Sequence, residues 1–464
     1  MILALLWACA TTPTPAPEAP VSLVPVPGEM PDWSPPTPTV SQLGNGADLW
    51  LVADASLPMV SVRIVFPGGA GLESDKAPGA MWMAGLMMEE SAGDRDSMAM
   101  TKAFEVLAAS VSVDVDQQSV IVSLDVAADR LDESLVLVAD QILRPAFSRE
   151  DWERVQYQQI LTLQQAREEG SSLAREVAQS QHFGSSRFAQ PVQGTPEGIR
   201  LLSLESVKAA YLSQFRPEGA SFVVVGDVSK KGLEERLITP FEGWEGTIGK
   251  VAETSAADGP GGLFLVADPG ASQTAIRVLG EGPRASHIDR LAAQATAVVL
   301  GGSFTSRLNY LLRETKGYTY GAWASFSPER SFGTFSAGSN VRQDATADAL
   351  TDMLGVFSGA AEIFSPTDQQ KAQSQIFSDE VAHAATRSGL ADLFAERIAD
   401  GLRAGGWGKE MDLALSATAT DMQVIGERFV ASEGLTVVLA GDLVVIEPAL
   451  KAAGFEFTVV EPVP

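Results

Sequence analysis

Side chains that bind metals or form disulfides are scarce in this 464-residue chain. Cys9 is the single cysteine, which excludes an intrachain disulfide and a cysteine-based zinc site. The three histidines are His182, His287 and His383, and none lies within a helical turn of another. No His-x-x-Glu-His motif can therefore be written anywhere in the sequence. A histidine zinc site would require these three distant residues to converge in space, and surface or partly buried structural histidines are the simpler interpretation.

Positive charge is also in short supply. The chain has 33 Lys and Arg against 59 Asp and Glu, a net charge of -26 and a pI near 4.5. This balance argues against a nucleic-acid partner and against electrostatic attraction to anionic lipid. A solvated acidic surface accounts for the excess charge. A cavity selective for basic peptides is the alternative, and the total charge does not decide between them.

The N-terminal segment carries the one apolar run that precedes a cysteine. Residues 1–9, "MILALLWAC", resemble a bacterial lipobox, in which the cysteine becomes the lipidated N-terminus of the mature protein. Residues 10–42 are rich in proline and predict a stiff tether. Trp7 and the lack of a preceding Lys or Arg depart from the lipobox pattern, so a clipped or ordinary signal sequence, or a misplaced start codon, is the alternative. We expect lipidation at Cys9 and a location on the periplasmic side of a bacterial cell envelope.

The rest of the chain repeats one order of elements. The apolar segment at residues 220–228, "ASFVVVGDV", has a counterpart at 435–443, "LTVVLAGDL". The segment "VSVRIVFPGG" is likewise matched by "QTAIRVLGEG" at 273–282, and a predicted helix follows each. The repeat predicts an α+β fold of two homologous, pseudo-symmetric α/β sandwich domains, at residues 43–250 and 263–464, with a linker at 251–262. Such a pair of domains would enclose a cleft, which is a usual place for a ligand.

Three segments of the N-terminal half have clear local patterns. "PGAMWMAGLMMEES", from Pro78, predicts an unusually apolar helix. "VSVDVDQQSVIVSLDVA" alternates apolar and polar residues and predicts a β-hairpin. Residues 148–183 predict a long helical region that breaks near Gly170.

Three further stretches of the sequence carry a family resemblance. They are "LGNG" at 43–46, "QGTPEGIRLLSLESVKAAYLSQFRPEGASFVVVGDV" at 193–228 and "LGGSFTSRLNYLLRETKGYTYGAWASF" at 300–326. Together with the duplicated order, they resemble the pitrilysin/insulinase family of zinc peptidases over about residues 43–460. The resemblance implies the two-domain, processing-peptidase-like version of the fold.

The resemblance also implies where a zinc site would lie. Active family members carry His-x-x-Glu-His on the first long helix, with a further Glu on a later helix. The family pattern places Trp82 and Leu86 at the two His positions, Gly85 at the first Glu position and Thr162 at the later one. None of these side chains can bind zinc or act as a base, so we expect no metal in this chain. We expect the apolar helix to be buried, and we expect the space of the missing zinc to be filled by its methionines together with Trp82 and Leu86, that is, by Met81, Trp82, Met83, Leu86, Met87 and Met88.

Carboxylates near the two helices leave one other metal site open. Glu89, Glu90 and Asp94 follow the apolar helix, and Glu168 and Glu169 close the later one. Oxygen ligands of this kind suit calcium or magnesium. A solvated helix end is the simpler interpretation.

The C-terminal half matches a different part of the family pattern. Family members bind substrate with an Arg and a Tyr seven positions apart, and "LRETKGYTY" places Arg313 and Tyr320 at that spacing. The resemblance implies that Arg313 binds the substrate backbone or carboxylate and that Tyr320 helps to stabilise an oxyanion. Tyr318 is a nearby competitor, and a structural role for either residue is the alternative.

The missing zinc motif and the retained Arg/Tyr pair imply a division of labour between two chains. We predict a non-catalytic, substrate-binding subunit of a heterodimeric zinc peptidase, whose homologous partner carries an intact zinc motif and the zinc. The substrate would be a peptide. A catalytically inert peptide- or protein-binding scaffold of the same fold is the first alternative. An autonomous peptidase with a non-standard metal site is the second.

Overall fold

A computed structural model describes residues 31–73, 77–249, 257–361, 364–431 and 434–463. Cys9 and residues 10–30 of the predicted tether lie outside the described residues, as do residues 251–256, the first half of the predicted linker. Ser34–Pro464 form one compact unit. No helix among the described residues is both long and apolar enough to cross a membrane.

The N-terminal half contains a six-stranded mixed sheet with the order β1-β2-β6-β3-β5-β4. Its strands are β1 (Thr39–Gln42), β2 (Asp48–Ala53), β3 (Met59–Pro67), β4 (Ser110–Val115), β5 (Ser119–Ala127) and β6 (Ser221–Gly226). Only the pairing of β2 with β6 is parallel. The predicted hairpin is confirmed as β4 and β5. The predicted tether ends too late, because its last four residues form β1 and pair with β2.

The C-terminal half repeats this sheet with the order β12-β7-β11-β8-β10-β9. Its strands are β7 (Gly262–Ala267), β8 (Gln273–Glu281), β9 (Thr319–Pro328), β10 (Gly333–Arg342), β11 (Thr436–Gly441) and β12 (Thr458–Val460). The repeated segments become matching central strands, because β6 corresponds to β11 and β3 to β8. The predicted α+β fold of two pseudo-symmetric sandwich domains is therefore confirmed. The first residue of β7 is the last residue of the predicted linker.

Helices pack on both sheets. The N-terminal half has α1 (Ala80–Met88), α2 (Ser97–Val106), α3 (Leu131–Leu143), α4 (Arg149–Arg167), α5 (Gly170–Phe183), α6 (Pro196–Leu201), α7 (Leu204–Gln214) and α8 (Leu233–Ile238). The C-terminal half has α9 (Asp289–Leu300), α10 (Thr346–Ser358), α11 (Pro366–Ala384), α12 (Arg387–Ala399), α13 (Trp407–Leu415), α14 (Ala419–Ile425) and α15 (Leu443–Ala452). The predicted break near Gly170 lies between α4 and α5.

The two halves exchange one helix each. Helix α5 of the N-terminal half packs on β8 and β11 of the C-terminal sheet, and α12 of the C-terminal half packs on β3 and β6 of the N-terminal sheet. Apolar side chains of α5 form a buried cluster with the C-terminal sheet, and its main members are Leu173, Ala174, Val177, Ala178, Phe264, Val266, Val438 and Ala440. This burial couples the halves, because each sheet needs the other half to cover one of its faces.

A buried cation strengthens the contact between α12 and the N-terminal sheet. Arg63 on β3 is 2% exposed, and its Nε donates to Asp392 on α12 at 2.5 Å. Its guanidinium also donates to Asp125 on β5 at 3.1 Å and to the Ser388 hydroxyl at 2.6 Å. A charge this deeply buried is tolerated only because carboxylates from both halves neutralise it.

Candidate functional site

Helix α1 begins at a buried carboxylate. Glu73 accepts hydrogen bonds from the backbone N–H groups of Gly79 (3.0 Å) and Met81 (2.6 Å). These N–H groups lie at the helix start, where they have no intrahelical acceptor. Burial raises the pKa of Glu73 to about 7, against the lowering effect of the two N–H donors. The role of Glu73 is to fix the start of α1.

The methionines of α1 belong to the N-terminal core. Met81, Met83, Met87 and Met88 are each at most 1% exposed and pack in the main cluster of that half. Trp82 and Leu86, the residues at the two histidine positions of the family motif, are only partly buried and pack at the edge of this cluster. The expectation that the methionines fill the space of a missing zinc is therefore wrong. They are buried because α7, β4 and α4 surround the helix.

The residues at the zinc-motif positions do not fit a zinc ion. An indole N–H is a donor, and Trp82 Nε1 is buried without an acceptor among the described residues. Leu86 offers no ligand atom. Gly85 lies against β4, so that a Cβ added there would be 2.9 Å from Val115 Cγ2 and 3.4 Å from Val113 Cγ1. The position of the catalytic Glu thus lacks both the carboxylate and the space for one.

Three other residues considered for a metal site, on or beside α1 and α4, are exposed or already engaged. Thr162 is exposed on α4, beside the buried Leu163. Glu89 accepts the N–H of Val113 at 2.8 Å, and Glu90 forms an ion pair with Arg154.

The three histidines do not converge, because each has different surroundings. His182 lies buried against Thr436, with 3.4 Å between Nδ1 and Oγ1, whereas His287 is exposed near Asp289. His383 lines a cavity beside α13. Within the described ranges, no group of three His, Cys, Asp or Glu residues could hold a metal ion.

The segment that carries Arg313 and Tyr320 is fastened to the C-terminal sheet. Arg313 lies in a π-helical turn, Asn309–Thr315, and Tyr320 lies on the edge strand β9. Gly301 brings the preceding turn so close that a Cβ would be 2.1 Å from the backbone N of Ala324. Asn309 Oδ1 accepts the N–H of Ala322 at 2.9 Å and links the π-helical turn to β9. The sequence did not single out Asn309, although it lies within the stretch 300–326 that carries the family resemblance.

Arg313 and Tyr320 are both accessible at this edge. The Arg313 guanidinium lies 4.2 Å over the ring of Phe304, and its Nε is 3.4 Å from Glu314. Tyr320 is 92% exposed, at a bulge where β9 has one residue more than β10 between the paired positions Thr319 and Ala322. Tyr318, the competitor, instead packs against the C-terminal core. Of the two tyrosines, Tyr320 has its side chain free to meet a ligand.

A cavity of about 300 Å³, lined by both apolar and charged side chains, lies among α9, α11, α12 and α13. Arg290 and Arg397 both donate to Glu410, at 2.7 and 2.8 Å. Burial, reinforced by the charge of Glu396, raises the pKa of Asp400 on the cavity wall to about 7. No motif in the sequence indicates this cavity.

Two family models match the chain. The insulinase (peptidase family M16) model matches residues 50–195, and the peptidase M16 inactive domain model matches residues 202–376. Together they account for more than half of the sequence. The first match contains the apolar helix, and the second contains Arg313 and Tyr320.

Related proteins agree with these matches. A non-peptidase homolog, YmxG, from Helicobacter pylori is 22% identical over 58% of this chain, and the match spans 62% of that relative. An uncharacterised zinc protease from Rickettsia bellii is 21% identical over 73% of this chain and 82% of its own length. The chain thus spans less than two-thirds of the Helicobacter relative.

Solved structures share the fold. A peptidase M16 inactive domain from Pseudomonas fluorescens has a TM-score of 0.81 at 20% identity and covers 87% of this chain and 98% of its own. A protease from Helicobacter pylori has a TM-score of 0.79 at 15% identity, over 88% and 100% of the two chains. A chain of complex III2 from Candida albicans has a TM-score of 0.74 at 12% identity, over 89% and 99%. The protein belongs to the insulinase (M16) peptidase family, as a member without that family's zinc ligands.

Proposed function

We propose that this chain is the non-catalytic, substrate-binding subunit of a two-chain zinc peptidase. The contrast between two places in the fold supports the proposal. Helix α1 has no ligands for a catalytic zinc and no space for the catalytic carboxylate, whereas the half-buried Arg313 and the exposed Tyr320 lie on a firmly held edge. A homologous subunit with an intact His-x-x-Glu-His motif would supply the zinc and the base.

Arg313 and Tyr320 are both hydrogen-bond donors that suit a peptide carbonyl or carboxylate. Stacking on Phe304 limits the positions of the guanidinium, which lowers the entropy lost when it binds. The Tyr320 hydroxyl is free to donate because its side chain is almost fully exposed. In the shared chamber of two subunits, these donors would hold the peptide and stabilise negative charge on its scissile carbonyl.

Reconstitution tests the proposed function. The chain is mixed with an M16 subunit from the same source that has the intact zinc motif, and hydrolysis of a quenched fluorescent peptide library is followed. We expect cleavage in the mixture, and kcat/KM about 10- to 100-fold lower with Arg313→Ala or Tyr320→Phe.

Tyr310→Phe is the matched control, because Tyr310 is also an exposed tyrosine of this segment, at 67%, and has no assigned role. It should leave the rate unchanged. The proposal fails if the partner cleaves equally well without this chain and Arg313→Ala changes nothing. Peptide binding without hydrolysis in any mixture would instead support the inert scaffold.

We further propose that Cys9 anchors the chain to the bacterial envelope through a lipid, with the proline-rich segment as a tether. The sequence "LLWAC" and the composition of residues 10–42 support this. Cells fed a radiolabelled fatty acid should label the wild-type protein and not Cys9→Ser, and only the wild type should sediment with membranes. Equal membrane recovery of Cys9→Ser would contradict the anchor.

A further inference from the structure

The pseudo-symmetry of the fold pairs Arg63 with Arg277. On β3, Arg63 lies between Val223 of β6 and Ser123 of β5. On β8, Arg277 lies between Val438 of β11 and Gly338 of β10. Val223 and Val438 are each the third residue of their strand. The two arginines therefore occupy equivalent positions, each beneath the helix contributed by the other half.

The surroundings of the two arginines differ in charge. Helices α5 and α12 align through "SSLAREVA" (171–178) and "SGLADLFA" (388–395), which places Arg175 where α12 has Asp392. Asp125 pairs with Ser61, two residues before Arg63. Asn340 pairs with Ala275, two residues before Arg277, and is therefore the counterpart of Asp125. Arg63 is thus neutralised by two carboxylates, whereas the equivalent positions around Arg277 hold a cation, Arg175, and an amide, Asn340.

Arg277 has no acidic partner. Across the described ranges, no carboxylate lies within ion-pair distance of it, and its buried Nε has no hydrogen-bond acceptor. Its guanidinium lies 4.7 Å from the ring centroid of Trp323, across the small Gly338. Burial, and secondarily the positive charge of Arg175, lowers the pKa of Arg277 to about 10. In a chain of net charge -26, two neighbouring arginines that form no ion pair with any described carboxylate are unusual.

The polar side chains next to this pair leave it accessible. Arg175 and Asn340 are exposed, and Trp323 is 36% exposed on the edge strand β9. Ser325 and Ser336, which share a hydrogen bond at 3.1 Å, lie in the next row of the same sheet face. These side chains and Arg277 form a surface, here called the shelf, that offers hydrogen-bond donors and no carboxylate.

We propose that Arg277 and Arg175 bind a carboxylate group of a peptide, on the shelf beside Trp323. The proposal deepens the proposed function, on which its peptide component rests, by naming an acidic side chain or a C-terminal carboxylate as the group recognised. A guanidinium stacked on an indole keeps its N–H edge free, and that edge matches a carboxylate. The bound carboxylate would neutralise Arg277 as Asp392 neutralises Arg63.

Glutarate is the first probe, because it tests the anion site independently of peptide binding. The melting temperature of the protein is measured in sodium glutarate and in sodium chloride at equal ionic strength. We expect glutarate to raise it by about 2 °C more than chloride. Arg277→Gln and Arg277→Lys should abolish and reduce this difference, respectively. Arg342→Gln, which changes an exposed arginine of the same sheet paired with Asp344, should not alter it.

The sharpest variant is Arg175→Asp, which recreates the arrangement around Arg63. It should raise the melting temperature without added anion, because the new carboxylate forms an ion pair with Arg277. The same ion pair should abolish the glutarate effect. Arg175→Gln, at the same exposed position, should weaken the glutarate effect without raising the melting temperature. An equal response to glutarate and chloride in the wild type, or a glutarate effect that survives both Arg277→Gln and Arg175→Asp, would overturn the site.

Peptides then distinguish the source of the carboxylate. Calorimetry compares ten-residue alanine-based peptides that differ by one Glu or Gln, each with a free or amidated C-terminus. We expect the preferred carboxylate to improve affinity about tenfold, and Arg277→Gln to remove that preference. Equal affinities for all four peptides would refute the peptide carboxylate while leaving the proposed function intact. A glutarate effect that depends on Arg277, with no peptide bound and no activity with a zinc subunit, would refute the proposed function while leaving the anion site intact.

Discussion

Arg63→Ala is expected to lower the free energy of unfolding by about 3 kcal/mol. Arg63 is 2% exposed and joins β3 to the exchanged helix α12 through Asp392 and Ser388. Truncation to alanine leaves a cavity. It also removes the cation that pairs with Asp125 of the N-terminal half and Asp392 of the C-terminal half. The loss would be seen as a lower urea midpoint and a lower melting temperature.

Two other substitutions show whether the effect comes from burial. Asp392→Ala should cost only about 1 kcal/mol, because Asp392 is 50% exposed and Asp125 still pairs with Arg63. Arg149→Ala removes an ion pair whose members are 89% and 63% exposed, and it should leave the urea midpoint almost unchanged. If Arg63→Ala were as mild as Arg149→Ala, the exchanged helix would not depend on this ion cluster.

Gly85→Glu, which restores the catalytic carboxylate of the family motif, should destabilise the protein by about 2–4 kcal/mol. The added Cβ would meet Val115 Cγ2 at 2.9 Å, and a valine methyl group on a strand cannot easily move away. For the same reason, the combined variant Trp82→His, Gly85→Glu, Leu86→His should bind no stoichiometric zinc. Thermal unfolding and elemental analysis of the purified variants check both results.

Gly355→Glu is the matched control for this prediction. Gly355 is also inside a helix, α10, but a Cβ there meets nothing within 4 Å. Glutamate should therefore stabilise that helix by up to about 1 kcal/mol through its better helix propensity. Adding Val115→Ala to Gly85→Glu should recover part of the lost stability. A Gly85→Glu protein with the wild-type melting temperature would show that β4 does not block the site.

Sequence reasoning predicted the duplicated architecture because the repeat was visible in the strands themselves. The residues that form β6 and β11 share an apolar run ending in Gly-Asp, and such buried central strands depend on local composition. The exchange of α5 and α12 was not predicted. An amphipathic pattern shows that a helix has an apolar face and does not show which sheet will cover it.

The sequence pointed to two candidate site residues but not to their surroundings. Their spacing singled out Arg313 and Tyr320, but the stacking on Phe304 and the bulge at Tyr320 depend on tertiary contacts. The methionines of α1 were given the wrong role, because their apolar character does not distinguish core packing from filling a vacated site. Arg277 was unremarkable in sequence, since only the tertiary pairing shows that Arg175 takes the place of Asp392.

Zinc content measured together with peptidase activity tests the central claim most directly. The full-length chain, purified without chelators in zinc-supplemented buffer, is analysed by mass spectrometry for metals and assayed alone against a peptide library. The account predicts no stoichiometric zinc and no hydrolysis, because Trp82, Gly85 and Leu86 supply neither ligands nor a base. About one zinc ion per chain, with hydrolysis that a chelator abolishes and zinc restores, would contradict it.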